Sequence, residues 1–135
     1  MVPVIGERQN LALNKTAYQS STYTTHSVIG YAFRAVDGNT NGSYASGKSC
    51  SHTSIGLGDW WEVDLGTTYD VKEAIVYNRG ECCHFGTNIR FNFISIIRLP
   101  DNCTTRYIKI ATQLDQVLAI CEVQIFNELS KQSFL

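Results

Sequence analysis

The sequence lacks the features that define several large classes of protein. It contains no run of Lys or Arg, and its net charge at pH 7 is −1, so nucleic acid and anionic membranes are poor candidate partners. No apolar run approaches the ~18 residues that cross a bilayer. Residues 1–10 have no charged head followed by an apolar stretch. We therefore expect neither membrane insertion nor a signal peptide.

Motifs of catalysis and of zinc binding are also missing. None of the three histidines falls in an H-E-x-x-H or G-x-S-x-G context, and the chain has no C-x-x-C pair. Asp59, Glu62 and Asp64 stand beside apolar residues in a strand pattern, so we expect them to face solvent. Because no acid–base pair is evident, we expect a binding module and not an enzyme.

Helical periodicity is nearly absent, and strand patterns dominate. Residues 61–65 alternate strictly between apolar and acidic positions, which is typical of a half-buried strand. Residues 29–36 could form one or two helical turns, with Phe33 and Val36 facing inward. Six to eight short strands joined by long loops predict one all-β domain over residues 1–135, an antiparallel β-sandwich or jelly roll, with a loose tail at residues 130–135.

The five cysteines favour an oxidising compartment, although a cytosolic chain with reduced thiols is the alternative. Cys82 and Cys83 are adjacent. A disulfide between neighbours closes a strained ring, because consecutive Cα atoms are about 3.8 Å apart and ordinary disulfides need about 4.4–6.8 Å. Such strain persists where the surroundings enforce it, often at a binding surface. The other interpretations are that each thiol pairs elsewhere or that both are free.

The loop at residues 37–49 is rich in turn-forming residues and begins with D-G-N-T-N. Its side-chain and backbone oxygens are the ligands that Ca²⁺ prefers. Glu122 could add a carboxylate if Cys121 is held near Cys50. The EF-hand pattern is absent, so the local sequence by itself favours an ordinary Asx/Gly turn.

Seven motifs spread over most of the chain carry a family resemblance. They are N-L-A-L-N-K-T-A-Y-Q-S-S at 10–21, A-V-D-G-N at 35–39, C-S-H-T at 50–53, W-W-E-V-D-L-G at 60–66, N-R-G-E-C-C at 78–83, R-Y-I-K-I at 106–110 and C-E-V-Q-I-F at 121–126. Together they resemble the F-type lectins, fucose-binding agglutinins typified by the eel serum lectin. The resemblance implies a jelly roll of the galactose-binding, discoidin-like type.

The family's sugar motif is a His, 26 residues, an Arg, one residue, an Asp, four residues and a second basic residue. His52 and Arg79 match its first two positions, and Glu81 stands where Asp is usual. The last position falls on Gly86, so one basic donor is missing. Arg90 lies four residues further on and could replace it only if the intervening loop folds differently.

The resemblance also assigns the apolar part of a fucose site. Cys82 and Cys83 match the family's adjacent-cysteine disulfide, which offers a rigid edge to the sugar ring. Tyr44 is our candidate for contact with the fucose methyl group. His52 and Arg79 would act as charged donors, which bond sugar oxygens more strongly than neutral ones.

A structural calcium ion and a long-range disulfide are implied in the same way. The disulfide is Cys50–Cys121, and Cys103 is expected to be a free thiol because its family partner is missing. The calcium ion would take the backbone carbonyls of Arg34, Asn39 and Cys121, the carboxylates of Asp37 and Glu122, and an oxygen of Ser49.

The function implied is a secreted, calcium-containing lectin that binds terminal L-fucose on glycans in innate-immune recognition or agglutination. A homo-oligomer, a trimer by family analogy, would make several sites act together. The alternative is a truncated, weakly binding or sugar-dead module of the discoidin fold that interacts with protein or with other glycans. The Gly/Ser/Asn-rich loops argue against a lipid partner.

Overall fold

The computed structural model describes residues 8–44, 48–80, 94–113 and 115–131, which form two antiparallel sheets and one short 3-10 helix. The elements in chain order are β1 (Thr16–Gln19), the 3-10 helix η1 (Ala32–Val36), β2 (Ser51–His52), β3 (Trp60–Asp70), β4 (Glu73–Asn78), β5 (Ile94–Arg98), β6 (Thr104–Ala111) and β7 (Ala119–Phe126). The sheet orders are β1-β3-β6 and β2-β7-β4-β5. This architecture confirms the predicted all-β sandwich. No helix in the described ranges is long and apolar enough to span a membrane.

The core lies between the two sheets, where alternate residues of the strands meet. Trp61, Val63 and Leu65 of β3 are fully buried, as their spacing predicts. They belong to the same core cluster as Val123 and Ile125 of β7. Burial of such side chains contributes about 1.5–3 kcal/mol each, so this cluster supplies the main force that holds the sheets together.

The helix η1 covers one end of this core, but the prediction for Phe33 is wrong. Val36 is fully buried, whereas Phe33 is 54% exposed and stacks on Tyr31 with 5.2 Å between ring centroids. The buried indole of Trp61 donates a hydrogen bond to the carbonyl of Ala32 at 3.0 Å. Ala32 packs against the core, and the next residue, Phe33, lies on the surface.

The short strand β2 is placed by β7, and this pairing determines where the candidate site forms. Ser51 and His52 pair with Ile120 and Ala119. On the other side of β7, the end of β4 lies against the same residues, since Asn78 pairs with Ile120. The backbone N–H of Arg79 then donates to the carbonyl of Ala119 at 3.4 Å. One strand therefore separates His52 from Arg79, although 26 residues lie between them in the sequence.

Candidate functional site

A surface cleft of about 620 Å³ opens at this end of the four-stranded sheet. Both His52 and Arg79 line it, so the structure brings together the two basic side chains that the spacing singled out. The volume falls in the range of small-molecule sites. The full lining consists of Tyr23, Thr25, Ser27, Val28, Tyr44, His52, Ser54, Ile55, Arg79 and Val117.

Aromatic rings connect the two basic groups. The His52 imidazole lies between Tyr23 and Tyr44, with centroid distances of 4.8 and 5.0 Å. The guanidinium carbon of Arg79 lies 4.7 Å from the centroid of the Tyr44 ring. A cation over an aromatic face gains about 0.5–2 kcal/mol, so Tyr44 restrains the direction in which Arg79 can present its N–H groups.

The exposed apolar surface of the cleft comes from residues that no sequence motif indicated. Tyr44 lines the cleft but is only 3% exposed, because it packs with Val28 and the Cys50 and Cys121 side chains. Its predicted contact with a fucose methyl group stays a prediction. Ile55 is 72% exposed and Tyr23 is 41% exposed. The only sequence signal for them was their position near His52 or in the loop that follows β1.

The imidazole of His52 is buried and engaged on one side. Its Nδ1 lies 2.7 Å from the backbone carbonyl oxygen of Thr53. Burial lowers the pKa of His52, the hydrogen bond to Thr53 opposes this effect, and the positive charge of Arg79 adds to the lowering. The ring is therefore neutral near pH 7, since the ordinary pKa of histidine is about 6.5.

The remaining residues of the predicted sugar motif fall between the described ranges. Glu81, Cys82, Cys83, Gly86 and Arg90 all lie within residues 81–93. The predictions made for them, including the Cys82–Cys83 disulfide and the replacement of a basic residue by Gly86, stay predictions.

Asp59 corrects one expectation about the surface. Its side chain is buried, not directed to solvent. One carboxylate oxygen accepts a hydrogen bond from Thr53 Oγ1 at 2.9 Å, and the other accepts one from Ser20 Oγ at 3.3 Å. Asp59 precedes β3, so the alternation of that strand does not determine its direction.

Two of the candidate calcium residues, Asp37 and Glu122, lie close together at the start of the 37–49 loop. Glu122 is fully buried, and its Oε2 accepts the N–H of Gly38 at 2.8 Å. Its Oε1 has no hydrogen-bond partner within the described part of the chain. Burial and the neighbouring charge of Asp37 raise the pKa of Glu122 to about 8. A buried carboxylate with an unpaired oxygen beside a second carboxylate fits a cation-binding position.

The other members of the predicted calcium set belong to the 3-10 helix and the 37–49 loop, apart from Cys121, which precedes Glu122. Within the described ranges no three His, Cys, Asp or Glu side chains form a metal cluster, so the set would depend on backbone carbonyls. Ser49 is fully buried, and its hydroxyl donates to the carbonyl of Asn41. Asp37 Oδ1 accepts the N–H of Asn39 at 3.0 Å, and Arg34 ties the loop by donating to the carbonyl of Lys48 at 2.8 Å.

The disulfide Cys50–Cys121 is present, as the resemblance implied. It joins the residue before β2 to the third residue of β7, and so fixes the strand that carries His52. Cys103 is the free cysteine of the described ranges and is partly buried.

Comparison with known proteins agrees with this geometry. A family model described as a NedA-like, galactose-binding domain matches residues 34–90. Fucolectin-1 of Anguilla japonica is 28% identical over 144 residues, an alignment that covers 87% of this chain and 80% of that protein.

Solved structures show the same relationship. An F-lectin from the serum of Morone saxatilis superimposes with a TM-score of 0.76 at 28% identity, covering 89% of this chain and 49% of that one. The chain thus spans about half the length of the bass lectin. The lectin domain of lectinolysin in complex with Lewis B antigen gives a TM-score of 0.75 at 27% identity, covering 90% and 98% of the two chains.

The chain is therefore similar in sequence and in fold to the F-type lectins, which confirms the resemblance carried by its motifs. These relatives are lectins or lectin domains. They agree with a carbohydrate-binding module, and not an enzyme, as the class of this protein.

Proposed function

We propose that this chain is a lectin domain that binds terminal L-fucose on glycans. The observation that carries the proposal is the convergence of His52 and Arg79 on one cleft. Fucose offers vicinal hydroxyls and a ring oxygen. The planar guanidinium of Arg79 can donate to two such oxygens at once. Its contact with the Tyr44 ring restrains its orientation before the ligand binds. The relationship to fucolectins supports fucose over other small polar ligands.

The predicted absence of a second basic donor at Gly86 would weaken each site. A hydrogen bond to a charged group contributes about 1.5–3 kcal/mol, so losing one lowers affinity roughly 10- to 150-fold. Several linked sites can compensate for weak individual binding. Assembly into a homo-oligomer, with a trimer as the family-based expectation, therefore belongs to the proposal.

Titration calorimetry with L-fucose in the presence of calcium tests the sugar site. We expect heat of binding at millimolar sugar for the native chain. Arg79→Lys should lower the affinity about 10-fold or more, because an ammonium group cannot replace a two-pronged donor. Arg106→Lys is the matched control, since Arg106 pairs with Asp64 on the other sheet.

Two results would contradict the proposal. One is the absence of any heat from the native chain at millimolar fucose with calcium present. The other is a native-like affinity in Arg79→Lys. Binding of a different sugar on a glycan array in the same conditions would instead favour the weakly binding or sugar-dead alternative with another partner.

We propose in addition that a structural Ca²⁺ ion is held by Arg34, Asp37, Asn39, Ser49, Cys121 and Glu122. The unpaired, buried Oε1 of Glu122 supports this set. The ion would neutralise the two carboxylates and fix the loop that leads into β2. Glycan recognition outside the cell, with secretion and a role in innate immunity or agglutination, completes the proposed function by analogy with the lectin relatives.

Thermal unfolding with and without calcium tests the ion. Calcium at about 100 times its dissociation constant should stabilise the native chain by about 2.7 kcal/mol. Glu122→Gln should lose most of this gain, because the amide brings no charge. Glu62→Gln on the outward side of β3 should keep it. Equal calcium shifts in the native chain and in Glu122→Gln would contradict the assignment.

A further inference from the structure

The hydrogen bond made by His52 determines which of its ring nitrogens carries the proton. The partner of Nδ1 is the carbonyl oxygen of Thr53, at 2.7 Å. A carbonyl oxygen only accepts, so Nδ1 must be the donor. In a neutral imidazole the second nitrogen, Nε2, then has a free lone pair and is an acceptor. Nε2 has no hydrogen-bond partner among the residues that the structure describes.

The carbonyl that fixes this tautomer is itself held from several directions. It shares a peptide unit with the N–H of Ser54, which donates to Ser21 Oγ at 2.9 Å. Thr53 donates its own N–H to the carbonyl of Leu118 at 3.0 Å. Its hydroxyl accepts the Leu118 N–H at 2.8 Å and donates to Asp59 at 2.9 Å. The 53–54 peptide therefore cannot rotate without breaking bonds on both of its sides.

We propose that Ser21, Thr53 and Asp59 are positioning residues that keep His52 as the Nδ1–H tautomer, so that its Nε2 accepts a hydrogen bond from a ligand hydroxyl. The proposal rests on the proposed sugar-binding function. It changes the role expected from the sequence, in which His52 was a charged donor. Thr53 and Asp59 are both buried, which agrees with a supporting role behind the cleft.

This arrangement gives the two basic residues different hydrogen-bonding roles. Arg79 can only donate, and His52 in this tautomer can only accept at Nε2. A hydroxyl group is a donor and an acceptor at once, so a single sugar hydroxyl can satisfy both residues. An ether oxygen or a fluorine accepts but does not donate, and it leaves Nε2 unpaired. The site is thereby specific for a free hydroxyl at one position of the ligand.

Nitrogen-15 NMR of the histidine side chains tests the tautomer without any sugar. In the native chain at pH 7.5 we expect His52 to show a protonated Nδ1 and an unprotonated Nε2. Ser21→Ala removes the hydrogen bond that holds the Ser54 side of the 53–54 peptide and should give a mixture of tautomers. Ser21→Thr retains the hydroxyl and should restore the native spectrum.

Ser130→Ala is the matched control for this experiment. It removes a serine hydroxyl that donates to buried Glu73 at 2.9 Å, and it should leave the His52 signals unchanged. A protonated Nε2 in the native chain would overturn the proposal. Native His52 signals in both Ser21→Ala and Thr53→Val would also overturn it. Thr53→Val is included because it removes the hydroxyl that bonds to Asp59.

Deoxy- and fluoro-derivatives of fucose test the role of Nε2 in binding. The hydroxyl that faces His52 is the one whose replacement by hydrogen weakens binding to the native chain but not to His52→Ala. At that position the fluoro sugar should bind as weakly as the deoxy sugar. Ser21→Ala should lower the affinity for fucose itself about 2- to 10-fold, the value of one net hydrogen bond.

Retention of binding by the fluoro sugar would overturn the acceptor role. A native chain that binds no fucose at all would instead remove the proposed function. The NMR experiment separates these cases, because the tautomer of His52 is measured on the protein alone.

Discussion

The imidazole of His52 depends on a neighbour that has no side chain. A Cβ atom added to Gly30 would lie 2.6 Å from the Cβ of His52 and 2.8 Å from its backbone nitrogen. The two residues are also hydrogen-bonded, since the N–H of His52 donates to the carbonyl of Gly30 at 3.1 Å. A backbone atom cannot turn away as a flexible side chain does, so any side chain at position 30 must displace β2.

Gly30→Ala should therefore weaken both folding and sugar binding. Overpacking of a tight contact costs about 1–3 kcal/mol, and the displaced imidazole loses its place in the cleft. Urea unfolding and fucose titration measure the two effects. Gly66→Ala is the control: Gly66 has a φ of +86° and open space around it, so this change should cost about 1–2 kcal/mol of backbone strain and leave sugar affinity unchanged. Native-like sugar affinity in Gly30→Ala would show that the contact does not position His52.

Single residues of the cleft were predictable from the sequence only where they belong to a motif or match its spacing. His52 and Arg79 were found in this way. Gly30, Tyr23 and Asp59 were not, because their roles come from contacts across the fold. The N–H of Tyr23 donates to the carbonyl of His52 at 2.8 Å, a bond between residues 29 positions apart that no local pattern encodes.

At the level of secondary structure, β2 is too short to hold its place alone. It has two residues, and its strand partner within the described ranges is the first part of β7. The Cys50–Cys121 disulfide binds its N-terminal end to β7 across 71 residues of sequence. Both sulfur-bearing side chains are fully buried beside Tyr44, so the cross-link also supports the ring on which Arg79 lies.

Removal of this disulfide should affect both stability and binding. In the chain-entropy model, closing a loop of this length contributes about 4 kcal/mol, so Cys50→Ala combined with Cys121→Ala should lower the free energy of unfolding by about that amount. Fucose affinity should fall as well, because β2 carries His52. Cys103→Ala serves as the control, since this thiol is free. An unchanged unfolding midpoint in the double variant would contradict the prediction.

For the molecule as a whole, Glu73 joins both ends of the described chain to the sandwich. This carboxylate is fully buried at the start of β4 and forms an ion pair with Arg8. Ser130 donates to it at 2.9 Å, and Arg8 also lies 3.9 Å from the centroid of the Phe126 ring. Burial raises the pKa of Glu73, but hydrogen bonds from Arg8 and Ser130 and the charge of Arg8 outweigh it, so the pKa lies below its ordinary value.

The sign of this pKa shift predicts a loss of stability in acid. A carboxylate with a lowered pKa in the folded state stabilises the protein above its ordinary pKa of 4.5, and this contribution disappears as pH falls through the lower, folded value. The free energy of unfolding should therefore decrease below about pH 4.5. Glu73→Gln should be less stable at pH 7 and should show a smaller decrease in acid. Glu62→Gln should keep the native slope, and a native slope in Glu73→Gln would contradict the role of Glu73.

Local sequence patterns were sufficient to predict the strands, the core and the resemblance to the F-type lectins. Alternation in β3 placed Trp61, Val63 and Leu65 inside, because a strand turns every second side chain to the same face. The motif around His52 and Arg79 is the basis of the proposed ligand class. The surroundings of these two residues come from packing between distant segments: the cleft, the rings on either side of the imidazole and the peptide that orients it. Those features depend on distances between segments that are far apart in the sequence. Hydrogen bonds and packing across the sheets set these distances, and local sequence patterns do not encode them.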